Sequence, residues 1–283
     1  MYKIAILGTE NTHAWGFTKL ISEGKYPELE VVGLFGNEEG NTAIKNQSGY
    51  NCFMKDYNDL VGKVDAVMIT ARHGGNHLKY AYEYIKTGIP VWMDKPITAS
   101  IEETRELVEM CKKHGNIICG GSMLGLVDDV LDMRKVFLES KTIEGGSVVA
   151  PVNMENPYGN FWFYSSHLIQ IILSVFGNDV KSVSAHKSAK GVTAIYRYDN
   201  FDVTATYGEA YYNYGITLYG DTVTYKSIGL AEGTEREMNE FMEMLHTGKA
   251  PKSFEDLTRA VFVTDATIKS FKNNGVFTEI ESL

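Results

Sequence analysis

Short apolar strands alternate with amphipathic helices through residues 1–121, and this alternation limits the fold more than any other feature of the chain. Repeated strand–helix pairs form right-handed βαβ units, and such units build a parallel sheet. Residues 1–121 are therefore expected to form a doubly wound (Rossmann) parallel sheet. The predicted strands cover residues 4–7, 30–35, 66–70, 91–93 and 117–119.

The pattern changes after residue 121. From residue 180 onward strands of period two dominate, and Asp199-Asn200 and Gly220-Asp221 have the composition of hairpin turns. The predicted fold class is thus α/β, with an N-terminal parallel sheet and, over residues 122–283, a C-terminal α+β domain with a mainly antiparallel sheet. Other elements predicted there are helices at 127–138, 162–176, 234–246 and 253–273, and strands at 147–150 and 276–280.

Tyrosines are frequent along these period-two strands. Tyrosine suits a surface that is partly buried against another subunit, and an exposed sheet face this aromatic would exceed the patches that soluble monomers usually show. The sequence therefore predicts a homodimer or larger homo-oligomer. The tyrosines concerned are Tyr207, Tyr211, Tyr212, Tyr214, Tyr219 and Tyr225.

Net charge and cysteine content indicate which binding partners and which cellular compartment to expect. The formal net charge of -9 argues against nucleic acid or an anionic membrane surface as a partner. Three cysteines, an odd number in apolar surroundings, are typical of reduced structural thiols, so a cytoplasmic protein is expected. The chain opens directly on a strand, and no apolar run approaches membrane-spanning length.

The turn after the first strand has the position of a phosphate-binding site. Gly8 ends the strand, and Asn11 or Thr12 is placed to cap the next helix, whose N-terminus would attract an anion. The dinucleotide fingerprint Gly-x-Gly-x-x-Gly keeps only its first glycine here, because Glu10 and His13 replace the other two. A carboxylate at residue 10 would repel a pyrophosphate, so Glu10→Gly is expected to strengthen binding unless Glu10 turns away or caps the helix.

The end of the second strand also departs from the fingerprint. An acidic residue usually stands there to bind the ribose, but this chain has Phe35-Gly36-Asn37. Glu38 and Glu39 follow one and two residues later and are candidates for the same contact.

The segment Asp94-Lys95-Pro96 follows a buried strand without a break. Open α/β sheets bind their ligands at the carboxyl ends of their strands, and Pro96 favours an extended backbone at Lys95. Two interpretations are open from these residues alone: a solvated lysine at a strand end, or a lysine that acts in a site.

His167 lies on the predicted helix at 162–176, off its apolar stripe and after the loop Asn153–Asn160, which is rich in Asn and Pro. It is either a structural histidine or a functional one. A metal site is not expected, since His73 and His77 share a helical spacing but have no Cys or carboxylate partner nearby.

Three segments resemble the glucose–fructose oxidoreductase / inositol dehydrogenase (Gfo/Idh/MocA) family. Gly88–Pro96 is similar to its Gly-x-x-Val-x-x-Glu-Lys-Pro signature, with Asp94 for Glu. Asp65–Ala71 with Asn76-His77 resembles its third-strand segment and helix entry, and Phe163–His167 resembles its Asp-x-x-x-His helix. Element order and spacing agree over essentially the whole length.

The resemblance implies a dinucleotide-binding domain (1–121), a substrate-binding and oligomerisation domain (122–283), and NAD or NADP between them. The reaction implied is hydride transfer to or from a sugar, polyol or related hydroxyl compound. Lys95 and His167 would handle the hydroxyl proton, and Asn153, Tyr164 and His167 would contact the substrate. Cofactor contacts are implied for Gly8, Glu10, Asn11, Thr12, Asn37, Ala71, His73, His77, Asp94 and Lys95.

Phe163 stands where the family has an aspartate, so the sequence supports a catalytic pair rather than a triad. Together with Glu10 and Gly125, which falls near the family's arginine or tyrosine, it keeps a second function open: a non-catalytic ligand-sensing or regulatory protein. An NAD-using lyase or glycosidase is a third. The sequence names no substrate and does not decide between NAD and NADP.

Overall fold

The computed structural model describes residues 1–209 and 213–283. They divide into two compact units. The first unit consists of Met1–Gly121 together with Thr234–Leu257, and the second of Ser122–Gly233 together with Thr258–Leu283. No helix of the described residues is both long and apolar enough to cross a membrane.

The first unit contains a parallel sheet of five strands in the order β2-β1-β3-β4-β5. The predicted doubly wound sheet is confirmed. Its strands are β1 (Tyr2–Leu7), β2 (Leu29–Phe35), β3 (Ala66–Ile69), β4 (Val91–Asp94) and β5 (Ile118–Gly121). Its helices are α1 (Thr12–Ser22), α2 (Glu38–Ser48), α3 (His77–Ile85), α4 (Ile101–His114) and α7 (Gly233–Thr247), the last of which begins one residue before the unit does.

Side-chain caps determine where several of these helices begin. Asn11, Asn37 and Ser100 each accept a hydrogen bond from a backbone N–H in the first turn that follows. The core of the unit includes Phe17 and Trp92, whose rings meet edge to face at 4.8 Å between centroids. The parallel pairing of the strands places their carboxyl ends at one edge of this sheet.

Two helices of this unit differ from the sequence-based expectation. The sequence does not predict α2, because Ile44 is its only buried large apolar residue and no apolar stripe forms. The sequence places α7 with the second domain, whereas the structure includes residues 234–247 in the first unit. There Tyr26 donates a hydrogen bond to Asn239, and Lys25 pairs with Glu235 at 2.7 Å.

The second unit is built on a seven-stranded sheet in the order β11-β10-β6-β9-β8-β7-β12. Among the described strands of this sheet only β6 and β9 pair in parallel, so the sheet is mainly antiparallel as predicted. Its strands are β6 (Gly145–Pro151), β7 (Ser182–Ser188), β8 (Gly191–Arg197), β9 (Asp202–Gly208), β10 (Tyr214–Tyr219), β11 (Val223–Ile228) and β12 (Thr278–Glu279). Its helices are α5 (Asp128–Glu139), α6 (Phe161–Phe176) and α8 (Phe254–Lys272), of which the first turn of α8 belongs to the first unit.

The predicted tyrosine-rich face is wrong in part. Tyr207 and Tyr214 are buried, and Tyr207 packs against Phe161 of α6, so both point to the covered side of the sheet. Tyr219 and Tyr225 lie on the open side, with Tyr225 65% exposed. Period two separates the two faces of a strand but does not say which face the helices cover. The predicted Tyr211 and Tyr212 lie outside the described residues.

Candidate active site

The first unit places a buried charged pair at the end of β4. Asp94 is the last residue of the strand and has no exposed surface, and Lys95 follows it at 6% exposure. The backbone N–H of Lys95 donates to Asp94 Oδ1 at 2.6 Å. Lys95 is therefore not the solvated strand-end lysine that the sequence left open.

Asp94 is also the partner of two residues that follow β1. Asn11 Nδ2 donates to Asp94 Oδ2 at 2.6 Å, and His13 Nδ1 lies 3.1 Å from Asp94 Oδ1. Burial opposes the charge on His13, but the carboxylates of Asp94 and then Glu237 raise its pKa to about 9. Burial likewise opposes ionisation of Asp94, yet His13 holds the pKa of Asp94 at about 2. The two therefore form a buried ion pair at neutral pH.

Glu237 on α7 completes this cluster. Its Oε2 lies 4.0 Å from His13 Nδ1, and neither carboxylate oxygen has a hydrogen-bond partner among the described residues. Burial raises the pKa of Glu237 to about 8, so its carboxyl is protonated near neutral pH. Burial also lowers the pKa of Lys95, an effect that Asp94 opposes. A lysine with a lowered pKa can exchange a proton closer to neutral pH than an exposed one.

The turn after β1 is rigid. Gly8 has φ +126°, and a Cβ there would lie 2.1 Å from the backbone nitrogen of Ala71. Trp15 Nε1 donates to the carbonyl of Thr9 at 2.7 Å, which fixes the next residue. Glu10 Oε1 accepts a hydrogen bond from the backbone N–H of Arg72 at 3.1 Å. The carboxylate of Glu10 is thus directed to the end of β3 and does not cap α1.

The other predicted cofactor residues have local structural contacts. His77 is fully buried, with Nε2 2.7 Å from the carbonyl oxygen of Ala71 and Nδ1 3.2 Å from that of Ile97. Both ring nitrogens of His77 therefore face acceptor oxygens. His73 Nδ1 accepts from Gly75, Asn37 caps α2, and Thr12 is exposed at the start of α1. Their assignment to a cofactor stays a prediction.

The second unit contains His167, on α6 and 7% exposed. Its Nδ1 lies 2.7 Å from Ser122 Oγ, and the ring packs against Tyr214 with 6.0 Å between centroids. Ser122 Oγ also accepts a hydrogen bond from the N–H of Leu124 at 3.2 Å. Because Ser122 Oγ accepts from Leu124, its own O–H can donate a hydrogen bond to His167 Nδ1. The proton of the neutral imidazole is then on Nε2.

Phe163 does not give His167 a charged neighbour. Its ring packs against those of Tyr164 and Tyr158, at 4.6 and 5.4 Å between centroids. Tyr164, a predicted substrate contact, lies beside His167 at 6.3 Å between ring centroids. Asn153, the other predicted contact, is exposed and accepts a hydrogen bond from the N–H of Glu155.

Sequence reasoning missed three residues of these clusters: His13 as an ion-pair partner, Glu237 and Ser122. The first two come together across most of the chain, so no local spacing could reveal them. Ser122 follows β5 directly, and a hydroxyl just after a buried strand was the available signal. Within residues 1–209 and 213–283, no group of three or more His, Cys, Asp or Glu side chains is arranged to hold a metal ion.

Residues 2–122 match the model of the Gfo/Idh/MocA family, described as an oxidoreductase family with an NAD-binding Rossmann fold. The matched segment carries Gly8, Asp94 and Lys95. No curated protein matches the chain.

Solved structures extend the similarity of fold to both units. A myo-inositol 2-dehydrogenase from Lactobacillus plantarum is 16% identical with a TM-score of 0.85, and 99% of each chain is covered. A scyllo-inositol dehydrogenase from Lactobacillus casei, with bound NAD(H) and scyllo-inositol, is 16% identical with a TM-score of 0.83 and the same coverage. GenD2 from gentamicin A biosynthesis, in complex with NAD, is 12% identical with a TM-score of 0.84, covering 99% of this chain and 96% of its own.

Proposed function

We propose that this protein is an NAD-dependent dehydrogenase that acts on a hydroxyl group of a sugar, polyol or related compound. The observation that carries the proposal is Lys95: a buried lysine with a lowered pKa, at the carboxyl end of the fourth strand of an NAD-binding Rossmann fold. The inositol dehydrogenases that share the fold support the substrate class.

The residues after β1 fit a dinucleotide. The positive φ of Gly8 permits the sharp turn, α1 has no acidic residue in its first turn, and Glu10 is hydrogen-bonded away toward β3. Gly8 and the N-terminus of α1 would hold the pyrophosphate. A bound nicotinamide would supply the hydride chemistry.

The protein then has to position the substrate and move one proton. In the direction of oxidation, Lys95 Nζ takes the proton of the hydroxyl that is oxidised, and in reduction it returns that proton. The family resemblance also assigns His167 a part in handling the proton, and Ser122 holds its ring at Nδ1. Tyr164 packs beside it and supplies a second hydroxyl for binding. Cofactor titration followed by a panel of polyols tests this function.

Ser122 is expected to act as a positioning residue for His167. Ser122→Ala removes one neutral hydrogen bond, so turnover should fall by about 2- to 10-fold. The tautomer of His167 should change as well, since Nδ1 loses its partner. Nitrogen-15 chemical shifts of the labelled imidazole measure that change without any substrate.

Two control variants distinguish a role of Ser122 in positioning His167 from a purely structural role. Ser122→Thr keeps the hydroxyl and should restore both turnover and the tautomer. Ser165 lies on α6, the helix of His167, and its buried hydroxyl has no hydrogen-bond partner among the described residues. Ser165→Ala should therefore leave turnover and the tautomer of His167 unchanged. An unchanged His167 spectrum in Ser122→Ala would show that the serine only caps the short helix Met123–Gly125.

A second function is favoured by Phe163. Because an aromatic ring replaces the family's carboxylate beside His167, the chain has one charge fewer for proton transfer, which suits a protein that binds cofactor and ligand without turnover. Saturable cofactor binding with no hydride transfer to any substrate would support this ligand-sensing function.

The open face of the second sheet is proposed to pair with a second copy of the chain. Val149, Tyr219, Val223 and Tyr225 are between 37% and 71% exposed, and Tyr225 lies over Gly215 beside Val149. Light scattering at micromolar concentration should give twice the chain mass of 31.6 kDa or more. Tyr225→Lys should shift that mass toward the monomer. A wild-type mass near that of one chain would contradict the proposal.

A further inference from the structure

The acidic side chain that usually ends the second strand of a dinucleotide-binding fold is absent here. That carboxylate normally accepts hydrogen bonds from the ribose hydroxyls of the adenosine half. In this chain β2 ends at Phe35, and Gly36, which has no side chain, follows. The chain therefore needs another source for this contact.

Glu10 brings a carboxylate to this place from the neighbouring strand. A Cβ built on Gly36 would lie 3.0 Å from Glu10 Oε2, so this oxygen stands against the end of β2. The other oxygen, Oε1, accepts from the N–H of Arg72 after β3. Since β1 lies between β2 and β3 in the sheet, the carboxylate of Glu10 spans the carboxyl end of β1.

The backbone that carries Glu10 is fixed on both sides. Thr9 Oγ1 donates to Asn41 Oδ1 at 2.7 Å, which ties the turn to α2. A Cβ on Gly40 would lie 2.1 Å from the carbonyl oxygen of Thr9, so the helix approaches the turn too closely for any side chain there. Glu10 itself is partly exposed, which leaves its carboxylate accessible to a ligand.

Two further acidic residues follow the end of β2 in the chain, and Arg72, whose N–H binds Glu10, is the basic residue beside it. Glu38 and Glu39 are exposed in the first turn of α2, and the only basic residue of that helix, Lys45, is in its last turn. A phosphate on the ribose would be repelled by the carboxylate of Glu10. A ribose with free hydroxyls would instead find an acceptor.

We propose that Glu10 replaces the missing acidic residue of the second strand, binds the ribose hydroxyls of the adenosine half and selects NAD over NADP. This inference rests on the proposed function. It reverses the sequence-based expectation for Glu10→Gly: restoring the fingerprint glycine should weaken NADH binding, because the hydrogen bonds to the ribose are lost.

Titrations of the purified full-length chain with NADH and with NADPH, followed by nicotinamide fluorescence, test the inference without any turnover. The wild type should prefer NADH. Glu10→Gln keeps an acceptor for the Arg72 N–H but loses the charge, so NADH should bind about 10-fold weaker and NADPH tighter than in the wild type. Glu10→Gly should weaken NADH by about 10- to 100-fold. Glu23→Gln, at the exposed end of α1, should change neither affinity.

The outcomes separate the two claims. A gain in NADPH affinity cannot come from a misfolded variant, so it supports the inference directly. If the wild type binds NADH but Glu10→Gln and Glu10→Gly bind it equally well or better, the inference is overturned and the proposed function stands. If the wild type binds neither dinucleotide, the proposed function fails and the inference fails with it.

Discussion

Replacing Lys95 with alanine is expected to lower turnover by about 10²–10⁴-fold, the usual contribution of a positioned acid–base group. The side chain is buried at the end of β4, so the proton acceptor has no replacement from solvent. The fold should persist, because Asp94 keeps His13 and Asn11 as partners. Steady-state kinetics on the substrate that the panel identifies measure the effect.

Two further variants define the role of the lysine. Lys95→Met preserves the length and apolar stem of the side chain and should be as inactive as Lys95→Ala. In the wild type the oxidation rate should rise with pH toward the pKa of Lys95, which burial holds below its ordinary value of 10.5, and this limb should vanish in both variants. Lys112→Ala, on α4, is the control for loss of a surface lysine. Full turnover in Lys95→Ala would refute the assignment.

Replacing Asp94 with alanine should lower the free energy of unfolding by about 3–5 kcal/mol, because it leaves the buried His13 cation without its main partner. Urea unfolding at neutral pH measures this loss. Glu23→Ala breaks an exposed pair with Lys19, at 3.8 Å, and should cost less than about 1 kcal/mol. The double variant His13→Ala/Asp94→Ala should recover part of the loss, since no charge is then left alone. Additive losses would show that the pair is not coupled.

The same cluster gives stability a defined pH dependence. The pKa of His13 is raised from 6.5 to about 9, so its contribution is full below pH 6.5 and is lost as the pH rises through 9. The pKa of Glu237 is raised from 4.5 to about 8, so ionisation of this buried carboxyl lowers stability as the pH rises through that range. The pKa of Asp94 is lowered from 3.8 to about 2, so the stability that Asp94 contributes is lost only as the pH falls through that range. The joint contribution of His13 and Glu237 to stability should therefore decline between about pH 4.5 and 9, and less so in Asp94→Ala.

The parallel sheet could be predicted because its strands are buried on both sides and read as continuous apolar runs. Helix α2 could not, because a cap at Asn37 and the close approach of Gly40 to Thr9 stabilise it more than an apolar stripe does. The cap joins residues close in sequence and can be predicted, but the contact of Gly40 with Thr9 forms only when the strands of the sheet have come together.

In the candidate site, too, features of local sequence could be predicted, whereas contacts between residues far apart in the chain could not. Lys95 could be singled out from its place at a strand end before a proline. The meeting of His13 with Glu237 depends on α7 returning to the first unit, and the contact of Ser122 with His167 joins two elements far apart in sequence. Glu10 was placed correctly in the turn, but only the structure shows its carboxylate against Gly36.

The central claim is that this chain binds a nicotinamide dinucleotide and uses it to oxidise a hydroxyl compound. The most direct test titrates the full-length protein with NADH by calorimetry, then adds NAD with a panel of inositols, sugars and other polyols and follows the absorbance of the reduced nicotinamide. Saturable NADH binding, together with reduction of NAD by at least one member of the panel, is the predicted result. Absence of binding to NADH and NADPH at millimolar concentration would contradict the claim.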